Sequence, residues 1–381
     1  RAPPLSISDS LHDEITNFQI GNPKSYPNQL QVTMSLLKAG KLIHDIIPGM
    51  GRMGFDKSLG KIFITSGTGV IGYRVAMSLL NAGHTDVRVG VWMGERDAGG
   101  GKGNHEFVDN IVKKLKEKGA EIVDFDWTDP MCFDKVLKGV KTVFCSLPHM
   151  EAHQDAFTGF VVSCKENKIE HFVKISFLHV DEYRKNVPLA HFHNVCDELL
   201  EQAPKTSRIS YTVLATSHLM STPFLAQGEL LTKQRKYVTA SYGMGVNYVS
   251  PNDVADAAMV VLMDRKKHRN KVYQLTARPV TDREVAKQLS IACECEIQHI
   301  ELGYHDYVKS IKSRGLPEWL AKDAAAFERT KASGIDEEPR IYTKDLENLI
   351  GRKPESFIDY LKNKESQRPG KKLPKPAEAS A

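Results

Sequence analysis

The sequence predicts an α/β fold, a doubly wound parallel sheet followed by a smaller, mostly helical C-terminal lobe. Three observations carry this expectation. Short apolar strands alternate with helical segments from Lys61 to Ala215. The first of those strands runs straight into three glycines and then into a helical pattern. Beyond Ala215 the alternation gives way to helices with recognisable starts.

Residues 1–57 are polar and irregular as far as Gln29, after which Leu30, Met34 and Leu37 mark a partly amphipathic helix that Pro48, Gly49 and Gly51 end. This extension is expected to dock on its own domain or on a partner. The core is expected over 58–215, with strands at 62–65, 87–92, 121–125, 142–146, 171–175 and 211–215. The passage Lys61-Ile-Phe-Ile-Thr-Ser-Gly-Thr-Gly-Val-Ile-Gly72 is a strand, tight turn and helix start of the dinucleotide-binding, or Rossmann, type. Gly67, Gly69 and Gly72 would serve the turn, the close approach of backbone N–H groups to a pyrophosphate, and helix packing. The phosphates would then sit at the positive end of the helix that begins near Val70.

The lobe is expected over 216–361, with 250–276 returning to the core. Ser250-Pro-Asn-Asp253 combines an N-cap, a proline in the first helical turn and an early acid, and Val254, Ala258, Val261 and Leu262 continue the helix. A strand follows at 271–275. Thr281-Asp-Arg-Glu284 then reads as a capping box. Helices are expected at 304–312 and 317–331. Residues 362–381, where Lys364, Arg368, Lys371 and Lys372 mix with Pro369 and Pro374, read as a disordered basic tail.

Composition narrows the function classes. The chain has 381 residues, 41% hydrophobic and 26% charged, and a formal net charge of +5 with both signs interspersed, so nucleic acid is not an expected partner. No apolar run reaches the roughly 20 residues that span a bilayer, which leaves peripheral docking through 1–57 or the basic tail. The six cysteines have no paired spacing and read as free thiols. The Cys293-x-Cys295 pair is too close for the usual zinc spacing, so no metal is expected. The chain begins Arg-Ala-Pro-Pro, which fits a processed product. The compartment is read as cytoplasmic or, after loss of a transit peptide, organellar.

The order of landmarks resembles the NmrA-like family of atypical short-chain dehydrogenase/reductases. Its supports run from Thr65-Ser-Gly-Thr-Gly-Val-Ile-Gly72 through Gly119-Ala-Glu-Ile-Val-Asp-Phe-Asp126, Gly139-Val-Lys-Thr-Val-Phe144 and His171-Phe-Val-Lys-Ile-Ser176. They continue with Tyr211-Thr-Val-Leu214, Ser250-Pro-Asn-Asp-Val-Ala-Asp256 and Gly315-Leu-Pro-Glu-Trp-Leu320, covering 61–362. The resemblance implies a nicotinamide dinucleotide on the turn formed by Ser66, Gly67, Thr68, Gly69, Val70, Ile71 and Gly72. It places Asp126 beside the adenine, although that carboxylate would equally cap the segment at Asp129-Pro130. It also places Ser146, Leu147, Pro148 and His149 at the nicotinamide. Trp92 stands where NADP-preferring members often carry arginine, and would stack on adenine or fill the core. Arg96 and Lys102 would neutralise a 2′-phosphate, against Glu95 on a free ribose, so NADP(H) is favoured over NAD(H).

The proton-handling machinery is the open question. Tyr183 is followed four residues later by Val187, so the Tyr-x-x-x-Lys motif of classical short-chain dehydrogenases is absent, and Val195 stands where related reductases place a lysine. His149, Tyr183 and Ser176 are the candidate catalytic residues, with His191 and His193 as further histidines in reach. Two functions remain. One is an NAD(P)H-dependent reductase of a small quinone or carbonyl compound. The other is a non-catalytic dinucleotide-sensing, regulatory or structural subunit acting on a protein partner.

Overall fold

The computed structural model describes residues 59–92, 102–148, 150, 153–314 and 317–362. The helix expected at 29–47, the tail beyond 362, Arg96 and His149 lie outside the described residues.

The core begins with β1 (Lys61–Ile64), α1 (Val70–Asn81), β2 (Val87–Val91), α2 (Lys102–Glu117), β3 (Glu121–Asp124), α3 (Phe133–Leu137) and β4 (Val140–Cys145). It continues with α4 (His153–Glu166), β5 (His171–Phe177), α5 (Asp181–Asn186), α6 (Pro188–Thr206) and β6 (Ser210–Thr216). The lobe and its connections comprise β7 (His218–Leu219), α7 (Thr222–Glu229), β8 (Lys236–Thr239), β9 (Gly245–Val246), β10 (Tyr248–Val249), α8 (Pro251–Met263) and α9 (Arg265–His268). After β11 (Lys271–Leu275) come β12 (Val280–Thr281), α10 (Asp282–Cys293), β13 (Gln298–Glu301), α11 (Tyr304–Ser313), α12 (Glu318–Lys331), α13 (Asp345–Ile350) and α14 (Phe357–Lys362).

Among the described residues, seven strands pair in parallel in the order β11-β6-β5-β4-β1-β2-β3. The chain winds outward from β1 to β3, then crosses back to lay β4 on the other side of β1. The order therefore reverses between β1 and β4, which opens the crevice where ligands bind in such sheets. Strands buried on both faces read as near-continuous apolar runs because helices cover each side. One face packs Ile62, Ile64, Val89 and Val173 against α1, α2 and α8. The other packs Phe63, Phe125, Phe133, Phe160 and Phe172 with α3, α4 and α6. Phe63 and Phe125 meet edge-on with ring centroids 5.3 Å apart.

β11 joins the sheet beside β6, pairing Lys271 with Thr212 through Leu275 with Thr216. In the lobe, β8 pairs with β13 and packs Val238 and Leu302 against Tyr307 and Ile311 of α11 and Ala321 and Ala325 of α12. The expected caps are in place. Ser250 Oγ accepts from Asn252 N–H at the start of α8, and Thr281 and Glu284 form the reciprocal capping box of α10. No helix of the described residues is long and apolar enough to cross a membrane.

Candidate functional site

The glycine turn sits at the carboxyl end of β1, on the β1/β4 crevice. Thr65 N–H donates to Phe144 O at 3.1 Å, Ser66 Oγ donates to Ser146 O at 2.5 Å, and Ser146 N–H donates to Thr65 Oγ1 at 3.2 Å. These bonds tie the ends of β1 and β4 and bring Ser66 and Ser146 together. Gly67 N–H donates to Gly90 O of β2 at 2.8 Å.

The three glycines answer to different constraints. A Cβ at Gly67 would lie 2.3 Å from Val89 Cγ1, and one at Gly72 would lie 2.0 Å from Ser66 O. Both positions are closed by the protein itself. At Gly69 the nearest atom would be Ser66 O at 3.3 Å, a tight contact that a shift of a few tenths of an ångström relieves rather than a clash. Gly69 is the N-cap of α1, is extended, and has no side-chain cap; no acid stands in the first turn. The first-turn N–H groups of a helix have no intrahelical acceptor, and the helix dipole adds positive potential at that end. A cradle for a pyrophosphate needs such an opening.

The rim of the crevice is built by the next strand ends. Trp92, just past β2, is 45% exposed, and its Nε1–H donates to Asp126 Oδ2 at 3.0 Å. Asp126 Oδ1 accepts from the backbone N–H and the hydroxyl of Thr128, each at 2.7 Å. The expected alternative, that Asp126 caps the segment at Asp129-Pro130, is corrected: Asp129 does this itself, accepting from Met131 N–H. Trp92 likewise does not fill the core. Leu147 packs partly buried against the sheet, Pro148 is exposed, and Lys102 opens α2.

The candidate proton donors come out differently. Tyr183, expected at the cleft, is fully buried; its hydroxyl donates to Asp336 Oδ1 at 3.0 Å and lies 3.2 Å from His218 Nε2. Burial and the neighbouring Asp336 charge push its phenol well above the usual range. This is a core tyrosine, because α5 folds back over the end of β5 and packs it with Phe177 and Phe327. Ser176 is corrected too. β5 continues to Phe177, and the Ser176 hydroxyl is buried, donating to Asp197 Oδ2 and accepting from Lys174 Nζ at 3.1 Å. Val195 lies partly buried on α6.

Sequence reasoning missed the group to which Ser176 belongs. Lys174, in the middle of β5, is fully buried and donates to Asp197 Oδ1 of α6 at 2.7 Å. Its Nζ also lies 3.2 Å from His193 Nδ1 and 3.3 Å from His193 O. Asp197 Oδ2 lies 2.8 Å from His179 Nε2. Burial pushes the Asp197 carboxyl up, but the Lys174 charge and the His179 bond outweigh it and hold the group below the usual carboxylate range. The signal was present in the sequence: a lysine inside an apolar strand, and an aspartate on the apolar face of a helix, each needs a partner.

The chain matches the NmrA-like family over residues 58–361. It is 25% identical over 324 residues to Prestalk A differentiation protein A of Dictyostelium discoideum, spanning 83% of this chain and 96% of that protein. To the uncharacterized oxidoreductase YesF of Bacillus subtilis it is 21% identical over 300 residues, 78% of this chain and 93% of that one. Its fold is similar to the NADPH-complexed, NADPH-dependent quinone oxidoreductase of Escherichia coli, with a TM-score of 0.64, 20% identity, and 79% and 99% of the two chains covered. It is also similar to the Citrobacter sp. triphenylmethane reductase complexed with NADP(H), with a TM-score of 0.63, 22% identity and 80% and 99% coverage.

Proposed function

The chain belongs to the NmrA-like family, and from that premise we propose that it binds NADP(H) and reduces a small quinone or related carbonyl compound. The observation that carries this reading is the glycine turn ending in Gly69 at the start of α1, which has no side-chain cap and no acid in its first turn; of the three glycines, Gly69 is the one where an added Cβ would be tight, at 3.3 Å from Ser66 O, rather than clashing. Ser66, Gly67, Thr68, Gly69, Val70, Ile71 and Gly72 hold the pyrophosphate, and Trp92 and Asp126 border the adenine. Ser146, Leu147 and Pro148 approach the nicotinamide. When bound, that ring supplies a hydride.

NADP(H) is favoured because the position after β2 that carries an acid in many NAD-binding folds is Trp92, and Arg96 and Lys102 follow it. A quinone is favoured because the hydroxyls of Tyr183 and Ser176 are buried and bonded to carboxylates. A reduced quinone oxygen holds negative charge better than a simple alkoxide, so it needs less help from a strong proton donor. The segment 216–361 walls the acceptor site. The similar folds of an NADPH-dependent quinone oxidoreductase and a triphenylmethane reductase support the reading.

The test is to titrate the purified chain with NADPH and NADH, then follow cofactor oxidation with quinones and simple aldehydes. The expected result is tighter NADPH binding, turnover of quinones and little turnover of aldehydes. Replacing Arg96 and Lys102 by alanine should weaken NADPH and leave NADH nearly unchanged. Tight binding with no turnover on any acceptor would replace this reading with the non-catalytic, dinucleotide-sensing one.

A further inference from the structure

The glycine turn offers an anion its backbone N–H groups but no charged side chain, since residues 62–73 contain no Lys, Arg or His. The first cation after the turn is Arg74, in the second turn of α1, and it is only 5% exposed. Helical side chains lean toward the helix N-terminus, and this one does so. Its Nη1–H donates at 2.6 Å to the carbonyl of Val70, the residue that follows the Gly69 cap. Its Nε–H donates to Asn252 Oδ1 of α8 at 2.9 Å. Nη2 is buried and bonds to nothing among the described residues.

Both bonded partners of the guanidinium are therefore neutral oxygens. The carboxylate whose charge acts on it, Glu355, is kept off it by Asn252, whose Nδ2–H donates to Glu355 Oε2 at 3.0 Å while its Oδ1 takes the Arg74 bond. A bond from Ser250 Oγ at 2.5 Å holds Glu355 on the α8 side. A guanidinium stays protonated, and removing it from water is costly unless an opposite charge is bonded to it. Packing of α1 on α8 would be served as well by an amide or apolar side chain. A buried cation without a bonded carboxylate is thus poorly explained by stability. An anion at the start of α1 does explain it, because the charge then reinforces the helix dipole across a short path of low dielectric.

We propose that Arg74 is a further binding residue of the dinucleotide site: a buried cation behind the first turn of α1 that attracts the pyrophosphate without touching it. Asn252 fixes its place, and Glu355 offsets part of its charge. The proposal rests on the dinucleotide half of the proposed function and not on reduction. Because the pyrophosphate is common to both cofactors, Arg74 favours NADPH and NADH alike, unlike Arg96 and Lys102.

Titration of charge variants with both dinucleotides tests this. Arg74→Met keeps the stem and removes the charge, and should weaken NADPH and NADH by the same factor, about tenfold, in a chain that urea unfolding shows to be folded. Arg74→Lys restores a cation without the fork and should recover most of that loss. Glu355→Gln keeps an oxygen for Ser250 and Asn252 but removes the offsetting charge. It should tighten both dinucleotides about twofold to threefold, a change opposite in sign to structural damage. If Arg74→Met does not fold, the decision passes to Glu355→Gln. Unchanged affinity in folded Arg74→Met, no recovery in Arg74→Lys, a loss confined to NADPH, or unchanged or weaker binding in Glu355→Gln overturns the role of Arg74. A wild type that binds neither dinucleotide overturns the cofactor reading as well.

Discussion

Gly69 and Gly72 stand three residues apart in one turn, and a Cβ at each would meet the same atom, Ser66 O, at very different distances, 3.3 Å and 2.0 Å. At Gly72 it would meet the backbone oxygen of Ser66 at 2.0 Å, which cannot move without dismantling the turn. Gly72→Ala should therefore lose about 2–3 kcal/mol of stability, read by urea unfolding, whether or not cofactor is present. Gly69→Val should still fold, with a smaller stability loss than Gly72→Ala because its closest contact with Ser66 O is 3.3 Å rather than 2.0 Å, and should weaken NADPH about tenfold, about 1.4 kcal/mol, read by fluorescence titration. Undiminished affinity in folded Gly69→Val would remove the turn from the cofactor site. Asp336 offers a second residue-scale test. Burial pushes its carboxyl up to about 6, against bonds from Asn247 N–H and the Tyr183 hydroxyl that favour ionisation. The folded protein thus holds this proton more tightly than the unfolded chain does. The stability it contributes is full below the unfolded pKa near 4 and is lost as pH rises through about 6. Asp336→Asn cannot titrate, so its stability relative to wild type should improve by about 2 kcal/mol between pH 4.5 and 7. A constant difference across that range would show that Asp336 titrates normally.

At the scale of single elements, α10 and β5 show two ways in which a local pattern meets its surroundings. The α10 box is self-contained. Thr281 Oγ1 accepts from Glu284 N–H at 3.2 Å, and Glu284 Oε2 accepts from Thr281 N–H at 2.8 Å. Four residues supply every partner, which is why the box is legible from sequence. Thr281→Ala should cost about 1 kcal/mol, seen as a lower urea midpoint with an unchanged slope; no change would mean that packing of Val285 and Leu289 alone fixes the helix. β5 is the contrary case. Its apolar residues announce a buried strand, but the role of Lys174 depends on Asp197 and His193, which arrive on α6 after an intervening helix. Local periodicity placed the strand correctly and could not say what the lysine faces.

Across the whole molecule, the far end of the described chain closes on the start of α8. Arg352 Nη2 reaches Asp253 Oδ1 at 2.7 Å and Asp256 Oδ2 at 2.6 Å on α8. Glu355 accepts from Ser250 Oγ at 2.5 Å and from Asn252 Nδ2 at 3.0 Å, while Asn252 Oδ1 accepts from Arg74 Nε of α1 at 2.9 Å. Arg352 and Glu355 thus fix the start of α8, and Asn252 of α8 in turn ties it to Arg74 of α1, 178 positions away in sequence. Arg352→Met would leave Asp253 and Asp256 largely buried without their shared cation. It should cost about 3 kcal/mol at neutral pH and less near pH 5. Burial pushes Asp253 up to about 6, so its carboxyl is then largely protonated and needs the cation less. Chemical unfolding at the two pH values checks this; an equal loss at both would mean that the packing of the arginine stem, not its charge, matters.

The amino-acid sequence by itself determined the alternation of strands and helices, the glycine turn, the caps at Ser250 and Thr281, and the expectation of a dinucleotide crevice. Each of these depends on residues within about one turn or one strand of one another, where backbone geometry and apolar periodicity dominate. It also gave the absence of Tyr-x-x-x-Lys, since that is a matter of spacing. Only the tertiary structure decided that Tyr183 and Ser176 are buried, that Asp126 holds Trp92 at the rim, and that Lys174, Asp197, His179 and His193 form one hydrogen-bonded group. The reason is physical: whether a polar side chain faces solvent, a ligand or a buried partner is fixed by what another element brings against it, and those elements meet only when the sheet and lobe pack.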